Sequence, residues 1–236
     1  MLTSKQHGAW AMLIIPFFLG MYAGGASIWH VPLFIGWLFL YLTSYPLIML
    51  VRKKKNVNYK KWVMIYGSIA VVSLLPILLY NIKLLYFGLA MIPLFMINIY
   101  YAKQNNERAF TNDIVAIITF CIGGLGSYYL EANELNQEAF FFFFLSFLFF
   151  LGTTFYVKTM IREKKNNSFK LLSWGYHLLL PVILYAIAAP WAIIAFVPSI
   201  IRAIVLYGRK IPIMKIGIIE IVNAAFFFIC IIIFHQ

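Results

Sequence analysis

Apolar residues in this chain gather in long runs, separated by short polar segments. Nine runs stand out, at about 9–28, 32–51, 62–81, 84–102, 111–130, 138–157, 171–188, 190–207 and 213–234. Each approaches the roughly 20 residues that an α-helix needs to cross a bilayer. The pattern predicts nine transmembrane helices. Ala189, Pro190 and Trp191 make the turn of a tight hairpin between the seventh and eighth, because proline disfavours helix in the residue before it. Asn81, Ile82 and Lys83 make another turn, between the third and fourth. Few residues remain outside the runs, so one integral membrane domain over 1–236 is expected.

Composition turns the pattern into a class. The chain is 64% hydrophobic and only 11% charged, with a mean hydropathy of +0.89. A soluble domain carries about 25% charged residues, so an ordinary water-soluble core is excluded, and so is disorder. An all-α polytopic membrane bundle follows. Cys121 and Cys230 both lie in apolar runs, which implies buried free thiols and no disulfide framework.

Charge sets the expected orientation. With nine spans, 18 of the 19 Lys and Arg residues fall on one side and Lys83 on the other. Arg202 is counted here with Arg209, Lys210 and Lys215 around the loop between helices 8 and 9. The positive side is cytosolic, so the N-terminus is expected in the cytosol and the C-terminus outside. Lys5 alone is a weak n-region and "AGGAS" at 23–27 a poor cleavage site, so the first run is expected to be retained.

Polar residues inside the runs gather near the cytosolic ends. His7 and Trp10 open helix 1, and Arg52 leaves helix 2. Lys103 ends helix 4 and Asp113 begins helix 5. Lys158 and Arg162 leave helix 6 on the face of Thr154. His177 lies two turns into helix 7, and Glu220 two turns into helix 9 beside Asn223. An unpaired carboxylate at that depth costs several kcal/mol, so Glu220 needs a partner or a role. The outer part of the bundle is almost purely Phe, Leu, Ile and Ala, including "FFFFF" at 140–144. A polar layer over an apolar interior suits an amphiphile with its head at the cytosolic rim.

"KQHGAWAMLIIPFFLG", "LYLTSYPLIML", "FYVKTMIREK" and "KIGIIEIVNA" resemble the YwiC-like family of bacterial integral membrane proteins. The resemblance implies a bacterial plasma membrane. A second, fainter resemblance is to the UbiA superfamily of intramembrane prenyltransferases, which implies a nine-helix arrangement with a cavity open to the cytosol. Those proteins hold Mg²⁺ and a diphosphate through two aspartate-rich motifs. Here "TSYPLIMLVRKKK" stands in place of the first, with no carboxylate. In "TFYVKTMIREKKN", Arg162 and Glu163 match the end of the second, but Thr154 and Ile161 replace its aspartates. Mg²⁺ wants carboxylate oxygens in near-octahedral geometry, so no Asp-bound metal and no cofactor are expected.

Two function classes follow. The first is a lipid binder or enzyme whose UbiA-like cavity takes an isoprenoid- or quinone-like amphiphile. Its head-group site would draw on His7, Trp10, Arg52, Lys103, Asp113, Lys158, Arg162, Glu163, His177 and Glu220. The acids and His7 would pair the cations when no ligand is bound. The second is a transporter or exporter, with Glu220, Asp113 and His177 as proton or cation groups. A scaffold role is a weaker third. Membrane lipids are the expected partners, and the basic loops need no nucleic acid to explain them. No residue is singled out as catalytic.

Overall fold

The computed structural model describes residues 7–52 and 58–235, without the side chain of His7. Lys5, Lys53, Lys54, Lys55 and the His7 side chain lie outside that description. Among the described residues there are nine α-helices and no strand. They are α1 (His7–Gly24), α2 (His30–Val51), α3 (Tyr59–Tyr80), α4 (Leu85–Lys103), α5 (Phe110–Ala132), α6 (Gln137–Ile161), α7 (Asn167–Ala186), α8 (Ile193–Val205) and α9 (Ile213–Phe234). Single 3₁₀ turns, Ile82–Leu84 and Pro190–Ala192, precede α4 and α8, at the two turns expected from the sequence.

Local chemistry fixes the ends. Asn58 and Asn166 cap α3 and α7, accepting the amides of Lys61 and Phe169 at 3.1 Å each. Asn133 closes α5 in the left-handed region, at φ 56°. Proline lies inside α1, α2, α3, α4, α7 and α8. Membrane helices tolerate it, because neighbouring groups re-satisfy the freed carbonyls.

Among the described residues, seven helical segments are long and apolar enough to cross a membrane, and the segments Gly8–Gly24 and Pro190–Val205 are apolar but shorter. The eighth run departs most from expectation. Its α-helix has 13 residues, about 20 Å at 1.5 Å per residue. Its last expected residues instead enter a turn closed by Gly208 at φ +77°. Arg202, counted with the loop by its charge, lies inside α8.

The chain divides into two compact units, with the boundary between Ser146 and Phe147, inside α6. The first holds α1 to α5. Its tightest seam joins α1 to α5, where backbones touch. A Cβ on Gly124 would stand 2.6 Å from the carbonyl oxygen of Pro16. One on Gly20 would overlap the carbonyl oxygen of Gly124, and one on Gly24 that of Tyr128. In lipid the hydrophobic effect does not drive helices together, so close packing of small residues supplies the attraction. Trp37 closes the neighbouring layer, its indole N–H donating to the Leu13 carbonyl at 3.2 Å.

The second unit holds the rest of α6 with α7, α8 and α9. Phe149 stacks on Phe227 at 4.1 Å, and Phe196 meets Phe227 edge-on at 5.3 Å, locking α6, α8 and α9. Nearer the chain ends of α6 and α8, Tyr156, Met160, Ala203 and Ile216 form a second buried layer. The hydroxyl of Tyr207 donates to the Lys164 carbonyl at 3.4 Å, so the α6–α7 and α8–α9 turns meet. Cys121 and Cys230 are free and buried, one in each unit.

Candidate functional site

The second unit carries charge in its interior. Arg202 lies one turn before the end of α8 and is 5% exposed. Glu220 lies about 10 Å along α9 and is 8% exposed. The two form an ion pair. Arg202 also donates from Nη2 to the Thr153 hydroxyl at 3.2 Å, and its guanidinium covers the Tyr156 ring at 4.6 Å. Carboxylate, hydroxyl and aromatic face thus hold the cation in one place. Taking both charges out of water costs several kcal/mol per ion, and good pairing geometry is what offsets it.

A neutral rung lies beside the charged one. Asn223 donates from Nδ2 to the Ser199 hydroxyl at 3.0 Å. Ser199 and Arg202 are three residues apart on α8, as are Glu220 and Asn223 on α9, so each pair shares a face. The two helices are cross-linked by one ionic and one amide rung.

His177, in α7, is 0% exposed. Its Nδ1 lies 2.7 Å from the Ser173 carbonyl, which only accepts, so Nδ1 carries the proton. Nε2 then presents a bare lone pair. It has no hydrogen-bond partner among the described residues, and neither do Tyr156 Oη, Ser173 Oγ, Arg202 Nε or Glu220 Oε2. A Cβ on Gly152 would lie 3.4 Å from His177 Nε2, and the next residue, Thr153, touches Arg202. One stretch of α6 therefore passes both groups. Buried donors and acceptors left unmade cost about 1–3 kcal/mol each, and a membrane interior supplies no water to soften that.

The residues expected from the sequence divide between the units. In the second, Glu220 and His177 are buried as described, and Glu220 takes Arg202 as its ion-pair partner. Lys158 is buried in the last turn of α6, beside the buried Thr154. Arg162 is exposed just past α6. Glu163 accepts from the Asn166 amide at 2.8 Å and shapes the following turn.

In the first unit, Arg52 bonds the Glu107 carboxylate and the Asn105 amide oxygen, tying the end of α2 to the α4–α5 turn. Lys103 is exposed at the end of α4, and Asp113 is half-buried in the first turn of α5. Trp10 is half-buried, edge-on to Tyr41 at 5.6 Å. Among the described residues no three His, Cys, Asp or Glu side chains gather to hold a metal. Thr154 and Ile161 give α6 no carboxylate where the resembled prenyltransferases use one, so no Mg²⁺-dependent step is drawn from this site.

Sequence reasoning missed Arg202, Thr153, Tyr156 and the Ser199–Asn223 pair. The spacing held a usable signal: "SIIR" at 199–202 and "EIVN" at 220–223 present two polar residues each at the same offset. It also missed His30, at the start of α2 in the first unit. There Nδ1 accepts the Ser27 amide at 3.1 Å and Nε2 donates to the Ser127 carbonyl at 3.0 Å. Both ring nitrogens are satisfied.

Comparison with known proteins agrees with the helical pattern. The sequence profile of the YwiC-like protein family matches residues 3–128. "Uncharacterized protein YwiC" of Bacillus subtilis is 49% identical over 96% of this chain and 95% of its own length. An "Uncharacterized protein" of Haemophilus influenzae is 38% identical over 99% of this chain and 98% of its own. No solved structure matches significantly. With seven helices able to cross a bilayer among the described residues, the chain is a multi-pass membrane protein, and it belongs to the YwiC-like family.

Proposed function

We propose that this protein binds an amphiphile with an anionic head and an isoprenoid- or quinone-like tail, with Arg202 as the head-group anchor. The observation that carries the reading is the Arg202–Glu220 pair, buried between apolar helices and flanked by polar atoms without partners. A guanidinium presents a planar fork of donors that fits phosphate or carboxylate, and a low-dielectric setting strengthens the contact. Lys158 and the exposed Arg162 extend positive charge toward the end of α6. The apolar stretches of α6, α8 and α9 beyond the pair would face the tail.

The orientation belongs to the same proposal: a bacterial plasma membrane, N-terminus in the cytosol, C-terminus outside. The basic α6–α7 and α8–α9 turns meet at the end of the unit nearest Arg202, which supports a cytosolic mouth. A cysteine at Asn136, and not one at Asn58, should then react with an impermeant reagent added to intact cells. Labelling at Asn58 overturns the orientation.

Binding is tested on purified full-length protein in neutral detergent. Farnesyl phosphate should raise the unfolding temperature, whereas farnesol and inorganic phosphate should not. Equal shifts from farnesyl phosphate and farnesol would remove the anionic head from the reading. A second reading, transport with Glu220, Asp113 and His177 as proton or cation groups, has the bare Nε2 of buried His177 in its favour. It predicts proton flux in liposomes without added amphiphile, which binding alone does not.

A further inference from the structure

Both amino groups and one face of the Arg202 guanidinium are already engaged, while Nε has no partner among the described residues. Glu220 holds one amino group, Thr153 the other, and the Tyr156 ring covers a face. An anion that accepts from both amino groups at once, across the planar fork, must take the place of the Glu220 carboxylate. Displaced and still charged, Glu220 would be an uncompensated anion among apolar helices, next to a second anion. Two like charges at one buried site do not both stay ionised.

Resting on the reading above, we infer that the site exchanges partners with uptake of a proton: the anionic head replaces Glu220 on Arg202, and Glu220 takes one proton from water. The charges balance. The head group brings one negative charge, the proton one positive, and the carboxylate becomes a neutral carboxylic acid. The site holds the same net charge before and after. Asn223 lies three residues on along the same face of α9, so its side-chain amide is the polar group placed to hold the new acid. The site thus recognises an anion together with a proton.

Other titratable or charged groups in the helices of this unit could carry the proton instead. They are Arg202 on α8, Tyr156 and Lys158 on α6, Lys170, Tyr176, His177 and Tyr185 on α7, and Lys215 and Cys230 on α9; the lysines already carry their proton at neutral pH. Arg202 is the ligand's counter-charge and stays protonated. Tyr176 donates a hydrogen bond to the Leu148 carbonyl at 2.6 Å and keeps its proton, and Tyr156 Oη has no partner among the described residues to receive its own. His177 is the competitor, because Nε2 is bare and can accept.

The test uses farnesyl sulfonate, whose head keeps one charge at every working pH. Calorimetric titration in two buffers of different ionisation heat counts the protons taken up by the full chain. One proton per ligand is expected at neutral pH, with affinity falling about tenfold for each pH unit of rise. Difference infrared spectra of the unaltered protein should gain a carboxylic-acid carbonyl band on binding. Glu220→Gln should bind without proton uptake and without the pH slope. Binding with no proton uptake in the unaltered protein overturns the exchange and leaves the binding reading standing. No binding of farnesyl sulfonate at any pH overturns both. Loss of the proton count in His177→Gln, with the infrared band absent from the unaltered protein, assigns the proton to His177 and overturns the role of Glu220.

Discussion

His30 and His177 are both buried histidines in helices of a membrane protein, and they are held in opposite ways. His30 spends both ring nitrogens on backbone groups of the first unit. His177 spends one and leaves the other bare in the second. The same contrast runs through the units. Among the described residues, the buried polar ones of the first are His30, Asn112, Ser127 and Ser146, none of them a permanent charge. The second buries Lys158, Arg202 and Glu220, together with Thr153, Ser199 and Asn223. One unit coheres by backbone contact between helices. The other maintains charge at depth, which packing alone does not require.

The largest effect that can test this contrast comes from splitting the ion pair. Arg202→Met leaves Glu220 as an unpaired buried carboxylate and should destabilise the protein by about 3–5 kcal/mol. Thermal unfolding followed by tryptophan fluorescence reads it. A loss below about 1 kcal/mol would mean that the pair is solvated, and the contrast between the units would collapse.

The glycine seam gives the next largest. Gly124→Ala places a methyl against the Pro16 carbonyl and should cost about 1–3 kcal/mol. Gly175→Ala, in α7, meets nothing within 4 Å and should be neutral or slightly stabilising. Equal losses at both would deny that the first unit depends on backbone approach.

The histidines give a smaller difference of the same kind. His30→Ala strands a part-buried amide and a buried carbonyl, about 1–3 kcal/mol. His177→Phe removes one hydrogen bond and fills the same space, so it should cost less, about 1 kcal/mol. If the order is reversed, His177 is the structural histidine.

Much of this fold was legible because membrane helices write themselves in composition. Every expected run became a helix, since length and hydropathy decide the matter once no water can satisfy the backbone. Pro190 and Asn81 marked their turns. The eighth run misled, because Leu206 and Tyr207 are apolar yet lie in a turn set by Gly208. Arg202 lies inside that run in any case, and only its charge places it with the basic residues of the loop. Glu220 and His177 stood out as lone polar residues in apolar runs, whereas Thr153 and Tyr156 look like ordinary wall residues until a guanidinium rests on them. The pairing itself is tertiary: no local pattern says that α8 and α9 align residue 202 with residue 220. The α1–α5 seam was hidden for the same reason, since glycine in an apolar run names no neighbour.

The central claim is that the Arg202–Glu220 pair serves a ligand and is not needed to hold the helices. Replacing both members, Arg202→Met with Glu220→Leu, removes the charges together and leaves apolar groups of similar size. Buried pairs exchanged in this way are often neutral or stabilising. The direct measurement is the affinity of that double variant for farnesyl sulfonate, taken with its unfolding temperature. The account predicts an unfolding temperature at or above that of the unaltered protein and an affinity at least about tenfold weaker, as expected for a lost charge-assisted hydrogen bond. Unchanged affinity in a folded double variant would contradict it, and so would a double variant that unfolds as readily as Arg202→Met alone.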